Sequence, residues 1–466
     1  MMELRYNRKI ICFAVVIYSV LAGLAILPME YGAYDDRGSS ADGGTDTTVC
    51  GSAGSDIPEG EGSGADRAFG FVSAEVTQSF YASERNPDIM ASARSASRTG
   101  DRARGAKADV EPPSINAMAA VVVEESTGRI LYDKNALARR SIASTTKIMT
   151  ALVALENANV EDEVVVSKRA AGIGGSTIGL RQGEKYKLRE LLYALMLNSA
   201  NDAAIAIAEH VGGSVEGFAV MMNKRAASLG AVNSNFVTPH GLDRENQYST
   251  AYDVALITIE ALKHPLFCEM VSTVSSYIPG HNLYNTNELL GSYPGADGVK
   301  TGYTGKAGRC LVSTAKKNGM RLISVVLGSP TRSARAEASR RLLDYGFENF
   351  RMYKLMSKGE VYAKIPVYRG VSEYVALRAD RDIVLPLSRR EAEMLKVREL
   401  VPDIVNAPVH AGSVSGYVEF VLEGRVLAQN MLTVSEDIRK TNYLDYLSLI
   451  FDAWGRMFRE GIFADL

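Results

Sequence analysis

A serine and a lysine stand three residues apart at the start of the apolar segment ASTTKIMTALVALE. Apolar residues recur in it with helical spacing, which predicts an amphipathic helix with one face in a core. On such a helix Ser144 and Lys147 share a face, and their side chains can reach each other. A serine hydroxyl needs a neighbouring base to act as a nucleophile, and lysine is a base only when its amine is neutral. Burial or a second cation would lower the pKa of that amine and provide the base.

The pair also has a purely structural explanation, because serine often caps a helix and lysine often extends into solvent. Two further motifs follow it in the chain. The run NSAN holds Ser199 and Asn201 at a break between two helical segments, where a hydroxyl and an amide can face a cleft. The run VKTG holds Lys300, Thr301 and Gly302 at the predicted end of a strand, where glycine lets a substrate backbone approach. S-x-x-K, S-x-N and K-T-G in this order are the motifs of penicillin-recognising serine enzymes, and three ordered matches argue against chance.

The chain resembles the serine-type D-alanyl-D-alanine carboxypeptidases, the low-molecular-mass penicillin-binding proteins, over nearly everything after residue 113. The runs TPHGLDRENQYSTAYDVALI and KTGYTGKAGRCLVSTA add to this resemblance. It implies that the chain removes the terminal D-alanine from peptidoglycan stem peptides ending in D-Ala-D-Ala and that β-lactam antibiotics inhibit it. It implies neither a cofactor nor a metal.

The resemblance implies three catalytic residues. Ser144 would be acylated by the penultimate D-alanine, Lys147 would take its proton, and Ser199 would relay a proton toward the departing amine. Lys300 would keep Lys147 neutral. The backbone N–H groups of Ser144 and Tyr303 would form the oxyanion hole.

The resemblance further implies a set of substrate-binding residues, namely Asn201, Lys300, Thr301, Gly302, Tyr303 and Arg335. Asn201 would bond the side-chain amide of the peptide, and Lys300 with Thr301 would bind its terminal carboxylate. Arg335 falls where the family places a carboxylate-binding arginine, and a planar guanidinium suits that task.

Other enzyme classes fit the sequence less well. A class A β-lactamase needs a Glu followed four residues later by Asn, whereas Glu245 is followed at that distance by Ser249. A hydrolase built on His240 and Asp243 needs a nucleophile elbow of the G-x-S-x-G type, which we do not find, so His240 is expected to structure its loop. A transpeptidase and a non-catalytic penicillin-binding cell-wall protein remain alternatives.

The elements that must position these residues follow from local patterns. AMAAVVVEESTGRILYDKNA predicts a β-hairpin, LRELLYALML and DAAIAIAEHV predict two helices, and three strands follow, the last two joined by an Asn-Gly turn. Strands at both ends of a helical middle predict an α+β domain, one antiparallel sheet with a helical insertion. The resemblance implies the penicillin-binding-protein/β-lactamase-like transpeptidase fold for this catalytic domain at residues 114–350. A small β-rich domain at 351–435 and a C-terminal amphipathic helix at 436–466 would complete the chain.

Length and charge limit the remaining possibilities. The chain of 466 residues predicts two or three domains, and 52 Lys plus Arg against 54 Asp plus Glu give no sign of a nucleic-acid partner. Residues 1–29 place basic residues before an apolar run, which predicts a signal peptide or a membrane anchor. Export to the extracytoplasmic face of the bacterial cell membrane follows. Residues 30–113, rich in Gly, Ser and Asp, predict a disordered linker.

The C-terminal helix is the second predicted membrane contact. Its apolar side chains repeat at steps of three and four, which predicts a helix lying on a membrane surface; packing on the β-rich domain is the alternative. The four cysteines lack the spacing of a metal site. For Cys268 and Cys310, packed thiols are favoured over a bridge, because a large domain does not require a single disulfide.

Overall fold

The computed structural model describes residues 111–459. The predicted signal or anchor and nearly all of the predicted linker lie outside the described residues. The chain divides into two units: one reaches to Lys440, and the other contains the chain from Thr441 onward.

Residues 111–350 form an α+β region. Its strands are β1 (Ala119–Glu124), β2 (Ile130–Lys134), β3 (Glu163–Val165), β4 (Lys185–Lys187), β5 (Ser275–Ile278), β6 (His281–Tyr284), β7 (Ala296–Thr304), β8 (Gly308–Lys317) and β9 (Met320–Ser329). Its helices are α1 (Lys147–Asn157), α2 (Lys168–Ala171), α3 (Leu188–Leu197), α4 (Asn201–Gly212), α5 (Val215–Ser228), α6 (Ala251–Ala261), α7 (Pro265–Ser272) and α8 (Arg332–Asn349). Five strands form one antiparallel sheet in the order β2-β1-β9-β8-β7, which confirms the predicted sheet with a helical insertion.

The hairpins of this sheet follow from their turn residues. β8 and β9 are joined by Asn318 and Gly319, whose φ angles are +51° and +77°, the left-handed conformation that a two-residue hairpin turn requires. Residues of β9 alternate between two cores. Ile323 and Val325 face the helical insertion, while Leu322 and Val326 face α8. Both faces of the sheet are therefore covered by packed side chains.

The helix α1 differs from its prediction. It was expected to bury one face, but residues 147–154 are all buried, because α3, α4, α5 and α6 surround it. A 3-10 turn, Ala143–Thr146, precedes it and carries Ser144. The prediction of one-sided burial was therefore wrong, and Lys147 enters the core with the helix.

The strand β7 also differs from its prediction. Lys300 and Thr301 were expected at a strand end, but they lie in the middle of β7. Because β7 is the edge strand of the sheet, its free side faces the 3-10 turn before α1.

Residues 351–440 form a β-rich region with its own apolar core. Its elements are β10 (Arg351–Met356), β11 (Val361–Tyr368), β12 (Tyr374–Ala379), β13 (Ile383–Leu387), α9 (Arg389–Met394), β14 (Lys396–Leu400), β15 (Val405–Asn406), β16 (Val414–Leu422) and β17 (Arg425–Val434). Six strands pair in the order β14-β16-β17-β12-β11-β15, and β10 pairs with β13. Ile438 and Lys440, assigned from the sequence to the terminal helix, instead form bridges with Val409 and Gly370.

The terminal helix, α10 (Tyr443–Arg459), begins with a reciprocal cap. Asn442 Oδ1 accepts a hydrogen bond from the N–H of Asp445, and Asp445 Oδ2 accepts one from the N–H of Asn442. Most of the apolar side chains described up to Trp454 are exposed, among them Leu444 and Phe451. Over residues 111–459, none of the helices combines the length and the apolar character that crossing a membrane would need.

The two cysteines of the α+β region are free thiols, as predicted. Cys310 is buried in β8, and Cys268 is half-buried in α7. Burial raises the pKa of the Cys310 thiol to about 11. Both act as packing residues.

Candidate active site

The amine of Lys147 is the centre of a buried polar cluster. Its side chain has no solvent exposure, and Nζ lies 3.0 Å from Ser144 Oγ, 2.7 Å from Asn201 Oδ1 and 2.8 Å from the backbone oxygen of His240. Ser144 and Lys147 are neighbours because the 3-10 turn runs directly into α1. Asn201, the first residue of α4, reaches the same amine from another helix.

This arrangement suits a neutral amine. Burial is the main cause that lowers the pKa of Lys147 well below its usual value, and the charge of Lys300 adds to it. A neutral amine has two N–H groups and one lone pair. Asn201 Oδ1 and the His240 oxygen can accept the two N–H groups, which leaves the lone pair for the hydroxyl of Ser144. The geometry therefore provides a hydroxyl next to a base.

Lys300 is a second buried lysine. It is 1% exposed, and Nζ donates to the backbone oxygen of Thr301 over 3.2 Å. Burial first, and the charge of Arg335 second, lower its pKa to about 7. Because Lys300 in turn lowers the pKa of Lys147, the two motif lysines are electrostatically coupled.

Gly302 brings β7 against the nucleophile. A Cβ on this residue would lie 3.0 Å from the backbone nitrogen of Ser144, so only a glycine fits without displacing the 3-10 turn. The next residue, Tyr303, is 54% exposed, and its ring lies 3.6 Å from the guanidinium carbon of Arg309. The backbone of Ser144 thus lies directly beside the strand that carries Tyr303.

The S-x-N connection lies between α3 and α4. Ser199 has a φ of +60°, an uncommon conformation for a residue other than glycine, and it is nearly buried. Asn201 Nδ2 donates to the oxygen of Gly174, which ties the loop before β4 to the cluster. Among the described residues, the hydrogen bonds of the Lys147 cluster do not include the Ser199 hydroxyl.

The run TPHGL supplies contacts that sequence reasoning missed. His240 gives Lys147 a backbone oxygen, for which a sequence holds no side-chain signal. Its ring Nδ1 accepts from the N–H of Leu242, and burial lowers its pKa to about 3, so it is a neutral loop-structuring residue as predicted. Gly241, with φ +84°, has no room for a side chain, because a Cβ would lie 2.0 Å from the oxygen of Ala143.

Asp243, which the sequence suggested only for a rejected His-Asp hydrolase, has a structural role instead. Its Oδ1 accepts hydrogen bonds from Ser141 Oγ, over 2.5 Å, and from Thr304 Oγ1, over 3.0 Å. The carboxylate therefore connects the segment before the nucleophile to the end of β7. The signal available was its position in the TPHGLD run.

The predicted carboxylate ligands already have partners. Thr301 Oγ1 lies 2.7 Å from Thr286 Oγ1. Arg335, on α8, donates from Nε and Nη2 to the two oxygens of Glu288, each over 2.9 Å. Its Nη1 donates to the backbone oxygen of Gly302, over 3.4 Å, so the arginine lies beside β7.

The chain is similar to known proteins over most of its length. The family model described as D-alanyl-D-alanine carboxypeptidase matches residues 106–331, and the model described as penicillin-binding protein 5, C-terminal domain, matches residues 350–440. The chain is 36% identical over 350 residues to the D-alanyl-D-alanine carboxypeptidase DacF of Bacillus subtilis, covering 72% of this chain and 90% of that one. It is 32% identical over 364 residues to DacA of Escherichia coli, covering 73% and 89%.

A solved structure shows the same likeness in three dimensions. Penicillin-binding protein 5 from Haemophilus influenzae aligns with a TM-score of 0.64 and 34% sequence identity, over 71% of this chain and 100% of that chain. The predicted fold class is thereby confirmed.

Proposed function

The chain belongs to the family of D-alanyl-D-alanine carboxypeptidases, and we propose that it performs this reaction through an acyl-enzyme on Ser144. It is a serine-type hydrolase of cell-wall peptides. The observation that carries the proposal is the 3.0 Å contact between Ser144 Oγ and a buried amine whose pKa lies well below its usual value. A non-catalytic penicillin-binding protein would not require a buried lysine amine beside the serine, and burying such a group costs free energy.

In the acylation step, Ser144 Oγ attacks the carbonyl carbon of the penultimate D-alanine while Lys147 takes the hydroxyl proton. The negative charge on the carbonyl oxygen is met by the N–H groups of Ser144 and Tyr303. The C–N bond then breaks, and the leaving nitrogen of the terminal D-alanine takes a proton that Ser199 relays from Lys147. In the deacylation step, water attacks the ester and Ser144 regains its proton. A peptide amine in place of water would give a transpeptidase.

The substrate peptide would bind along β7. Asn201 would bond its side-chain amide, and the close approach at Gly302 leaves room for its backbone. Thr301, Lys300 and Arg335 would hold the terminal carboxylate, because charge-assisted hydrogen bonds to a carboxylate are the strong ones. A peptide with an amidated C-terminus should accordingly be a poorer substrate than the free acid.

Covalent labelling tests the assignment of Ser144. The wild-type protein should form a penicillin adduct that maps to the peptide holding Ser144 and should release D-alanine. Ser144→Ala should lose both activities with an unchanged melting temperature. Lys147→Arg should be nearly as damaging, because arginine stays protonated and cannot act as a base. Normal acylation by a folded Lys147→Arg variant would contradict the role of Lys147.

We also propose that the protein works on the extracytoplasmic face of the bacterial cell membrane, where stem peptides lie. The apolar run within residues 1–29 would export it and either be cleaved or remain as an anchor. The exposed apolar side chains of α10 support binding to a membrane surface, since Trp454 and Phe451 are residue types that suit the interface.

Vesicle sedimentation tests the role of α10. Residues 114–466 should sediment with lipid vesicles, and the same chain ending at Lys440 should not. Ending at Lys440 keeps the bridges of Ile438 and Lys440 within the β-rich region. Equal binding by the two proteins would refute the anchor, while loss of solubility in the shorter one would favour a packed helix.

A further inference from the structure

The segment from Asn285 to Glu288 runs beside the predicted carboxylate site. Asn285 Nδ2 donates to the backbone oxygens of Val271 and Thr273, over 3.3 and 3.0 Å. Asn287 is buried, and its Nδ2 donates to the oxygen of Gly298 over 2.7 Å. The backbone of the segment is therefore fixed against α7 and β7.

This fixed segment covers both side chains expected to bind the substrate carboxylate. The hydroxyl of Thr286 forms a hydrogen bond with the hydroxyl of Thr301. Two residues later, the carboxylate of Glu288 accepts hydrogen bonds from the guanidinium of Arg335. The Glu288 pair is bidentate, the geometry in which arginine binds a carboxylate. A protein carboxylate thus occupies the edge of Arg335 that a substrate carboxylate would use.

The two members of the pair differ in freedom. The Arg335 side chain is 5% exposed, and Nη1 is also held by the backbone oxygens of Gly302 and Cys310. The Glu288 side chain is 30% exposed, so it can turn toward water without opening the core. Glu288 is therefore the side chain that can move away from the ion pair, while Arg335 stays in place.

We propose that Glu288 is a specificity-determining residue whose carboxylate neutralises Arg335 in the free enzyme and is exchanged for the terminal carboxylate of the peptide. The inference rests on the proposed function, because it assumes a free-acid peptide as substrate. The exchange lowers the affinity for the peptide below that of an arginine without an internal partner, because the Glu288–Arg335 ion pair is lost when the new one forms. It also keeps a buried cation paired when no substrate is bound.

Peptide kinetics with Glu288→Gln test this proposal. Freed from its internal carboxylate, Arg335 should bind the free-acid peptide better, so KM for that peptide should fall about tenfold. The KM for the C-terminally amidated peptide should stay unchanged. Glu337→Gln is the matched control, because Glu337 also pairs with an arginine of α8, Arg341, but both side chains are more than half exposed. It should leave both peptides unaffected.

A second background separates exchange from a general structural effect. In an Arg335→Gln protein, adding Glu288→Gln should no longer change the preference for the free acid. Glu288→Ala provides a second variant, with the same expected change, should the glutamine substitution impair folding. An unchanged or raised KM for the free acid, or an equal change for the amidated peptide, overturns the proposal.

Failure of the proposed function would be recognised separately. Peptide binding by calorimetry in a Ser144→Ala background measures the same free-acid preference without turnover, so Glu288 is tested whether or not Ser144 is the nucleophile. Tighter binding of the free acid with Glu288→Gln supports the exchange, and unchanged binding refutes it. Loss of D-alanine release in Ser144→Ala bears only on the nucleophile.

Discussion

Replacing Asn201 by Asp would put a negative charge beside the Lys147 amine with almost no change in shape. Asn201 Oδ1 lies 2.7 Å from Nζ, and the residue is nearly fully buried. At an effective dielectric constant of about 20, unit charges at this distance attract by about 6 kcal/mol. Even a quarter of that energy changes the proton affinity of the amine about tenfold. The variant should hold Lys147 protonated over a wider pH range.

The assay is the rate of acylation by fluorescent penicillin from about pH 5 to about pH 9. A base must be neutral, so acylation falls as the pH drops through the pKa of Lys147. In Asn201→Asp this fall should begin at a higher pH, and acylation near neutral pH should decrease by about tenfold or more.

Asn201→Ala is the control, because it also loses the hydrogen bond from Nδ2 to Gly174 but adds no charge. It should lower the rate without moving the acid limb to higher pH. An acid limb that stays in place in Asn201→Asp, or that moves equally in Asn201→Ala, would refute the assignment of Lys147 as the base.

Three further changes have defined outcomes. Gly241→Ala places a Cβ against the backbone oxygen of Ala143 at a residue with positive φ. The free energy of unfolding in urea should fall by about 2 kcal/mol or more, and acylation by penicillin should slow. A wild-type acylation rate would contradict the packing argument. Lys300 has a pKa of about 7 in the folded protein against 10.5 ordinarily, so between these pH values only the unfolded chain binds its proton. Stability should therefore rise with pH by up to about 1.4 kcal/mol per pH unit, and Lys300→Met should lack this rise in urea titrations. Equal slopes of stability against pH in the two proteins would contradict the lowered pKa of Lys300. Arg129, in the β1–β2 turn, forms a bidentate ion pair with Glu391 of the β-rich region, and Arg129→Ala removes it. The free energy of unfolding should fall by about 1 to 2 kcal/mol in the same titration, while penicillin acylation is retained. Unchanged stability would show that the pair is dispensable.

Local signals in the sequence predicted the elements that depend on local chemistry. The Asn-Gly pair predicts the β8–β9 turn because both residues tolerate positive φ, and Asn318 and Gly319 adopt it. The burial of α1 on all sides was not predictable in the same way, because it depends on helices distant in sequence that surround it. Likewise, nothing local indicates that Glu288 meets Arg335, since the pair forms only when α8 packs against the sheet.

The acceptors around Lys147 favour the neutral form of its buried amine. A carboxylate in contact would satisfy its N–H groups but would favour the ammonium form, so the neutral oxygens of Asn201 and His240 serve better. Asp202, next in the chain, opposes this by raising the pKa of Lys147, but less than burial and Lys300 lower it. Its carboxylate is held away by the backbone N–H groups of the loop before β4, namely Ile178, Gly179 and Leu180. That loop thereby keeps the acid beside the S-x-N motif from reaching the base, which is the contact that Asn201→Asp would create.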